Sequence, residues 1–395
     1  MPSYKNYIQL SEGVEKIIDY RGKTPRKLGS DWVDKGIRTI SAKNVHNGVL
    51  DNIDSIRCVT EEIYEKWMKD KIKREDIFIV SEGASMGESL IWESDEQIVL
   101  GQRLFAVRAN NKVLNPFYLA MYMRTPEYRA ELINHCTGTS VMGLSQPSLL
   151  KTKIRYVPIN LQNFIGEMYQ NICNKIENNN KINRNLFKQA REIYKSWFMD
   201  FNITDGVMPE NWHVGTVEEI IELHDSLRKP LSGKEREKLD KIYPYYGATS
   251  IMDYVDSYLF DGIYLLLGED GSVVDTDGFP ILQYVFGKFW VNNHAHIITG
   301  KNGFSVESLY LLFSLTHVNN IVTGAVQLKI SQQNLKKVEA IIPSQKALKD
   351  FDEIIQPMFA QIRKLKRENE NLTSFRDLLL PKLMSGELDI SALNI

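Results

Sequence analysis

The sequence predicts an α/β (α+β) chain in which two mixed domains are joined by two long helices that form an antiparallel coiled coil, with an internal pseudo-twofold repeat. Three observations carry this expectation. A tract from Thr137-Gly138 to about residue 200 recurs 186 positions later, from Thr323-Gly324 to about residue 386. A heptad seam runs through both copies. Ahead of each copy the hydrophobic period of 3.6 gives way to short apolar runs punctuated by Gly, Asp and Asn, the pattern of strands and turns.

The elements follow in order. The first domain is expected over residues 1–157, with strands at Gly36–Ser41, Asp76–Val80 and Arg103–Val107 and a helical stretch at Phe117–Arg129. A long helix occupies 158–205, announced by Pro158, since proline suits the start of a helix. Its positions Ile172, Ile176, Asn179, Asn183, Leu186, Ala190, Ile193 and Trp197 alternate spacings of four and three, which is a heptad seam. The second domain spans 206–343, with strands at Gly262–Leu267, Phe289–Val291 and His296–Ile298 and a helical stretch at Val306–His317. Residues 344–395 form the second long helix, whose seam reads Met358, Ile362, Leu365, Asn369, Leu372, Arg376 and Leu379.

Within the repeat, Ser145-Gln146 matches Ser331-Gln332, Leu149 matches Leu335, Ile176 matches Ile362 and Asn183 matches Asn369. A helix of roughly 30 to 40 residues is about 45 to 60 Å long. With one apolar stripe it needs a partner along that stripe, and the other copy supplies it. The equivalent seam asparagines Asn183 and Asn369 are expected to select one register and arrangement. Pro357, near the start of the second helix, is expected to kink or delay it.

Composition excludes several classes. With 43% hydrophobic and 25% charged residues, the chain of 395 residues reads as a globular protein large enough for two domains. It has no apolar run of 18 residues and no signal-peptide core at Met1-Pro2-Ser3-Tyr4-Lys5, so a cytoplasmic protein without a membrane association is expected. Cys58, Cys136 and Cys173 lack metal-site spacing and read as reduced thiols. A net charge of −2 argues against coating nucleic acid by bulk charge but leaves local basic faces. Residues 14–49 carry a balance of +4 and residues 228–241 one of +3.

Catalytic readings fare poorly. His294-x-His296 has no evident third metal ligand and reads as a packed or hydrogen-bonded pair. Asp275-Thr276-Asp277-Gly278 opens like a calcium loop but lacks its glutamate, so it reads as a turn. Glu235-Arg236-Glu237-Lys238 reads as a charged loop. No dinucleotide or phosphate-binding glycine loop and no adenine-methylase tetrapeptide of the Asn-Pro-Pro-Phe type is present. No catalytic, cofactor-binding or metal residues are therefore expected.

The order of several segments resembles the specificity subunits of type I restriction-modification systems over nearly the whole length. The segments are Ile40-Ser41-Ala42-Lys43-Asn44-Val45, then Asp76-Ile77-Phe78-Ile79-Val80-Ser81-Glu82-Gly83-Ala84-Ser85-Met86-Gly87, then Gly138-Thr139-Ser140 leading to Leu144-Ser145-Gln146. In the second half they are Tyr243-Pro244-Tyr245-Tyr246-Gly247-Ala248, Gly268-Glu269-Asp270-Gly271 and Gly287-Lys288-Phe289-Trp290-Val291-Asn292-Asn293-His294-Ala295-His296. The first half lacks the Pro-x-x-Trp that the second supplies as Pro209-Glu210-Asn211-Trp212.

The resemblance implies two target-recognition domains, each reading one half of a bipartite, asymmetric double-stranded DNA target, with the helix pair as spacer. It implies as partners two copies of a modification (methyltransferase) subunit, docked on residues 160–200 and 346–386, and leaves open a restriction (translocase and nuclease) subunit. S-adenosylmethionine and ATP would then act on those partners and no cofactor on this chain. Deleting the C-terminal helix is expected to abolish the complex while each recognition domain still folds.

Base edges are read by Arg or Lys at guanine and by Asn or Gln at adenine, with hydroxyls filling in. Residues of these types in the proposed loops are Arg21, Lys23, Ser41, Lys43, Asn44 and Ser85 in the first domain. In the second they are Arg228, Lys229, Tyr246, Thr249, Ser250, Ser272 and Lys288. The alternatives are a self-contained nuclease or methyltransferase, a non-enzymatic coiled-coil adaptor, and the specificity module of another methyltransferase-type defence system. Binding that weakens steeply with salt separates a DNA reader from an adaptor.

Overall fold

The computed structural model describes residues 7–46, 48–136, 143–324, 327–385 and 387. Thr137-Gly138, where the repeat begins, and Gly138-Thr139-Ser140 lie outside the described residues. The chain forms two units, one of residues 1–177 with 370–395 and the other of residues 178–369. Among the described residues no helix is long and apolar enough to cross a membrane, and the three cysteines are free.

The first unit opens with β1 (Tyr7–Gln9), α1 (Leu10–Gly13) and β2 (Val14–Asp19), and continues through β3 (Ile37–Ile40), β4 (Val45–His46), β5 (Val49–Leu50), β6 (Arg57–Val59) and α2 (Glu61–Trp67). There follow β7 (Ile77–Val80), β8 (Ser89–Ile91), β9 (Val99–Leu100) and β10 (Leu104–Ala109), then α3 (Pro116–Tyr122), α4 (Pro126–Asn134), α5 (Gln146–Leu150), β11 (Lys153–Arg155) and the long α6 (Ile159–Phe198). A four-stranded sheet has the order β2-β10-β7-β8, a three-stranded sheet the order β6-β3-β9, and β1 pairs with β11. β7 is apolar at every position because it is buried on both faces. Ile77 and Ile79 enter the core under α3, and Phe78 and Val80 enter a second core with Trp67 of α2 and Trp92. The single helix expected at Phe117–Arg129 is two, because Thr125 caps a new start with Pro126 in its first turn.

The second unit repeats this plan with β12 (His213–Thr216), α7 (Val217–Ile220), β13 (Ile221–Leu223), α8 (Gly233–Arg236), β14 (Tyr243–Tyr246), β15 (Ile251–Val255), β16 (Phe260–Gly268), β17 (Leu282–Val291), β18 (Ala295–Gly300), α9 (Val306–Ser314), α10 (Gln332–Lys336), β19 (Glu339–Ile342) and α11 (Gln345–Ser385). Its six-stranded sheet runs β13-β18-β16-β17-β14-β15, and β12 pairs with β19. The correspondence is strand for strand: β2-β10-β7-β8 answers to β13-β18-β16-β17, and β6-β3-β9 to β15-β14-β17. In the second unit one long strand, β17, serves both groups and fuses them, whereas the first unit breaks that strand into β8 and β9. The parallel contacts Thr39↔Val99 and Tyr245↔Trp290 occupy the same place in the two units. So do capping boxes at Gln9 with Glu12 and at Thr216 with Glu219, and serine caps at Ser145 and Ser331.

The long helices run 40 and 41 residues, about 60 Å each. Pro357 does not delay α11, which starts twelve residues earlier with Ser344 accepting from the Ala347 amide at 3.3 Å. It sits inside the helix and leaves one carbonyl of the preceding turn without its amide. The pairing is antiparallel within each unit. In the first, Tyr169, Ile172 and Ile176 share a core with Leu372, Leu383 and Met384. In the second, Phe187 meets Phe359 at 6.4 Å and Phe198 meets Phe351 at 4.8 Å. Asn369 faces Asn179 and Asn180: Asn179 donates to Asn369 Oδ1 at 2.8 Å and to Glu368 at 2.9 Å, and Asn369 donates to Asn180 at 2.9 Å. The expectation that both domains fold without the C-terminal helix fails on the core contributions of α11, which include Phe351, Ile355 and Phe359.

Candidate nucleic-acid interface

In the first unit five chain segments that sequence places far apart converge. Gly101 donates to the Ile40 carbonyl at 2.7 Å and Ala42 to that of Gln102 at 3.1 Å, which joins the loop after β3 to the loop between β9 and β10. Gln102 Nε2 donates to the Lys23 carbonyl at 2.9 Å and brings in the loop after β2. Ser81 donates to the Arg103 carbonyl at 2.9 Å, and Leu144 to that of Ser81 at 2.8 Å, adding the turn after β7 and the segment before α5. Beyond Ser81 the chain reverses at Gly83, whose φ of +92° an L side chain rarely adopts.

The second unit builds the same kind of cluster, and three of these backbone bonds recur in it. Asn292 donates to the Tyr246 carbonyl at 3.0 Å, Glu269 to that of His294 at 2.8 Å, and Ile330 to that of Glu269 at 2.9 Å. Gly271, with φ +86°, turns the chain where Gly83 does. Ser81, Glu82, Gly83, Arg103 and Leu144 thus correspond to Glu269, Asp270, Gly271, His294 and Ile330.

Many of the residues picked out from sequence lie in these clusters, but several point inward. Arg21 chelates Asp19 with two 3.0 Å bonds, donates to the Leu144 carbonyl at 3.0 Å and lies 3.9 Å over the Phe105 ring. Lys23 donates to the Trp67 carbonyl at 2.9 Å and exposed Lys43 to that of Ser55 at 3.0 Å. Asn44 is fully enclosed and differs from the expected adenine reader. Its oxygen accepts from Ser41 Oγ at 3.0 Å and its amide reaches the carbonyls of Asp51 and Asn52, so it shapes the loop. Ser85, Thr249, Ser250 and Ser272 sit at turns on the cluster, the last three exposed. Exposed Lys229 fixes its loop through its carbonyl, which accepts from Trp290 Nε1 at 2.7 Å. Tyr246 packs edge-on to Phe289. Lys288 stands apart, opposite Asp261 at the far end of β16, with its ammonium 4.6 Å over Tyr258.

Arg228 belongs to a buried network. It binds Glu269 at 2.7 Å and the Ala295 carbonyl at 2.8 Å, while His296 contacts Asp225 at 2.6 Å and the Ile330 carbonyl at 2.8 Å. Ligand atoms of Asp225, Glu269 and His296 lie within 4.8 Å of one another. Arg228 and Lys329, the latter 3.2 Å from Glu269, already place cations at these carboxylates. Burial raises the Asp225 carboxyl, but bonds and charge from His296, the Ile297 amide and Gln332 outweigh it and leave it below the usual carboxylate range. Glu269 is likewise lowered, burial being outweighed by Arg228, His296 and Lys329.

A carboxyl whose folded pKa is depressed stabilises fully above its unfolded pKa, and that contribution is lost as pH falls through the folded value. The second unit is therefore expected to lose thermal stability as pH falls through and below the usual carboxylate range. Asp225→Asn should lower its melting temperature at neutral pH and flatten the acid slope. Melting curves of the whole chain across pH check this, and an unchanged slope in the variant refutes it.

The sequence reading missed Gln102 and Arg103 as parts of the cluster, and took His294 only as half of a packed or hydrogen-bonded pair with His296. An available signal was the acidic-Gly dipeptide, Glu82-Gly83 and Asp270-Gly271, at the same turn in both halves.

Comparison with known proteins agrees with this twofold plan. The sequence model described as Type I restriction modification DNA specificity domain matches residues 8–187 and again 209–374. A putative type I restriction enzyme specificity subunit of Haemophilus influenzae is 33% identical over 129 residues, about a third (32%) of each chain. The MjaIX specificity subunit of Methanocaldococcus jannaschii is 25% identical over 305 residues, 70% of each chain. The HindI specificity subunit of Haemophilus influenzae is 21% identical over 81% of this chain and 88% of its own. The fold is similar to the crystal structure of a type I S subunit from M. genitalium, with a TM-score of 0.56 and 15% identity over 97% of this chain and 98% of that one. With the family's domain present twice over most of its length, the chain belongs to the type I restriction-modification DNA specificity family.

Proposed function

We propose that this chain acts in the cytoplasm as the DNA-specificity subunit of a type I restriction-modification complex, each unit presenting its loop cluster to one half of a bipartite, asymmetric target. One observation carries the reading. The same five-segment cluster stands on the same strand framework in both units, with different exposed side chains, as reading two different half-sites requires. In this reading, domains 1–157 and 206–343 recognise DNA, and helices 158–205 and 344–395 set the spacer and dock two modification subunits. The chain itself is non-catalytic. S-adenosylmethionine and ATP act on its partners, a restriction subunit among them where the system cleaves.

Mapping methylated adenines in cells with and without the gene tests the reading. One split motif should vanish on deletion, and an unchanged methylome would refute it. A further expectation concerns length. Seven residues added to each helix at the unit boundary keep the seam in register and add about 10 Å of helix. The spacer of the methylated motif is then expected to grow by about three base pairs. Retained methylation with the original spacer would rule out the helices as its determinant.

A further inference from the structure

Arg103 and His294 occupy one structural position in the two units. Each gives its carbonyl to the amide of the residue just after the neighbouring strand, Ser81 or Glu269. Each side chain pairs with the carboxylate one residue further on, Arg103 with Glu82 at 3.1 Å and His294 with Asp270. Each pair lies beside a glycine of left-handed conformation, Gly83 or Gly271. The scaffold around them is kept, with Leu144 answering to Ile330, Ser145 to Ser331 and Leu149 to Leu335, while the exposed group changes from guanidinium to imidazole.

We propose that Arg103 and His294 are the equivalent specificity-determining residues of the two units, each contacting a base edge and each oriented by its carboxylate. This rests on the DNA-specificity reading above. Four features support it. The side chains of Arg103 and His294 are 60% and 43% exposed, so they are available to a duplex without rearrangement of the core. Arg103 holds φ +63°, a conformation uncommon outside glycine, and such local strain concentrates at functional sites. In the first unit the loops tied to Gln102 and Arg103 carry Ser41 and Ser85, and in the second unit the turn tied to His294 through the Glu269 amide carries Ser272. Finally, an exposed ion pair adds little to stability, so folding does not account for an acidic partner at this point in both units.

The chemistry differs usefully between the halves. A guanidinium held by one carboxylate keeps free N–H groups to meet the O6 and N7 acceptors of guanine. An imidazole anchored through Nδ1 to Asp270 presents Nε2 to a base as a single point of contact, which reads a different edge.

The test uses the assembled modification complex acting on DNA of random sequence, with methylated sites sequenced for wild type, Arg103→Ala, Arg103→Lys, Glu82→Gln and His294→Ala. Arg103→Ala and Arg103→Lys should relax one base position in one half-site, discrimination there falling roughly ten- to a hundredfold, with the other half-site unchanged. Glu82→Gln should relax the same position more weakly. His294→Ala should relax one position in the opposite half-site only. An unchanged motif at wild-type rate overturns the proposal. So does uniformly weaker methylation of an unchanged motif, the mark of a phosphate contact, and so does failure of both Arg103 variants to assemble. If the wild-type complex yields no split motif, the DNA-specificity reading itself fails, an outcome distinct from these.

Discussion

Removal of residues 345–385 is expected to unfold the second unit. Leu348, Phe351, Ile355, Phe359 and Ile362 of α11 are at most 5% exposed and belong to that unit's largest core. Phe351 packs against Tyr194, Trp197 and Phe198 of α6, and Phe359 against Tyr284 of the sheet and Tyr310 of α9. Full burial of each such side chain is worth about 1.5 to 3 kcal/mol, so the loss is on the order of 10 kcal/mol. That rivals the whole stability of a typical domain, about 5 to 15 kcal/mol. The deletion also takes Arg363, which binds buried Glu307 at 2.7 Å, and leaves that carboxylate without its cation. Limited proteolysis and thermal melting of the shortened chain check the expectation, and a second unit that stays protected would contradict it. The same deletion is consequently a poor test of partner docking, since it destroys the surface together with the fold beneath it.

Arg108→Ala is expected to destabilise the first unit by about 3 to 5 kcal/mol. Arg108 on β10 binds Asp76 through two bonds of 2.8 and 2.7 Å and donates to the Lys71 carbonyl at 2.9 Å. The Asp76 side chain is 1% exposed and also accepts from the Lys73 amide at 2.8 Å. Truncation of the arginine strands a buried carboxylate, and the penalty is that of the unpaired charge more than of the lost attraction. Asp76→Asn combined with Arg108→Met should therefore recover part of the loss. Urea unfolding monitored on the first unit gives the values, and a midpoint unchanged in Arg108→Ala would rule the argument out.

Much of the helical part of the molecule was legible from sequence because its repeat keeps a constant shift. Ser145 and Ser331 cap equivalent helices, and Leu149 and Leu335 are both fully buried. The strand framework hides because the loops between its members differ in length. Ser81 and Glu269 correspond at one shift, Arg103 and His294 at another, and Ile40 and Tyr246 at a third, so no single period aligns them. The parallel pairing of β3 with β9, and of β14 with β17, joins residues too distant in sequence for local pattern to announce. Side-chain type misled in a different way. Asn44 has the amide that adenine recognition calls for, yet its neighbours use up that hydrogen-bonding capacity, and only burial reveals this. Arg228 carries a charge that sequence places on a surface, whereas Glu269 and Asp225 draw it into a buried network. Pro357 signals a break that the packed helix overrides.

The division of the chain into one continuous and one discontinuous unit has a consequence for biosynthesis. Residues 178–369 emerge from the ribosome as an unbroken stretch and can close their core as soon as α11 has passed Ile362. The first unit, though translated earlier, must wait for Leu372, Leu383 and Met384 to complete its packing. The half made first is thus the half finished last. Until synthesis reaches those residues, the apolar stripe of its helix around Ile172 and Ile176 stays open to chaperones or to other nascent chains.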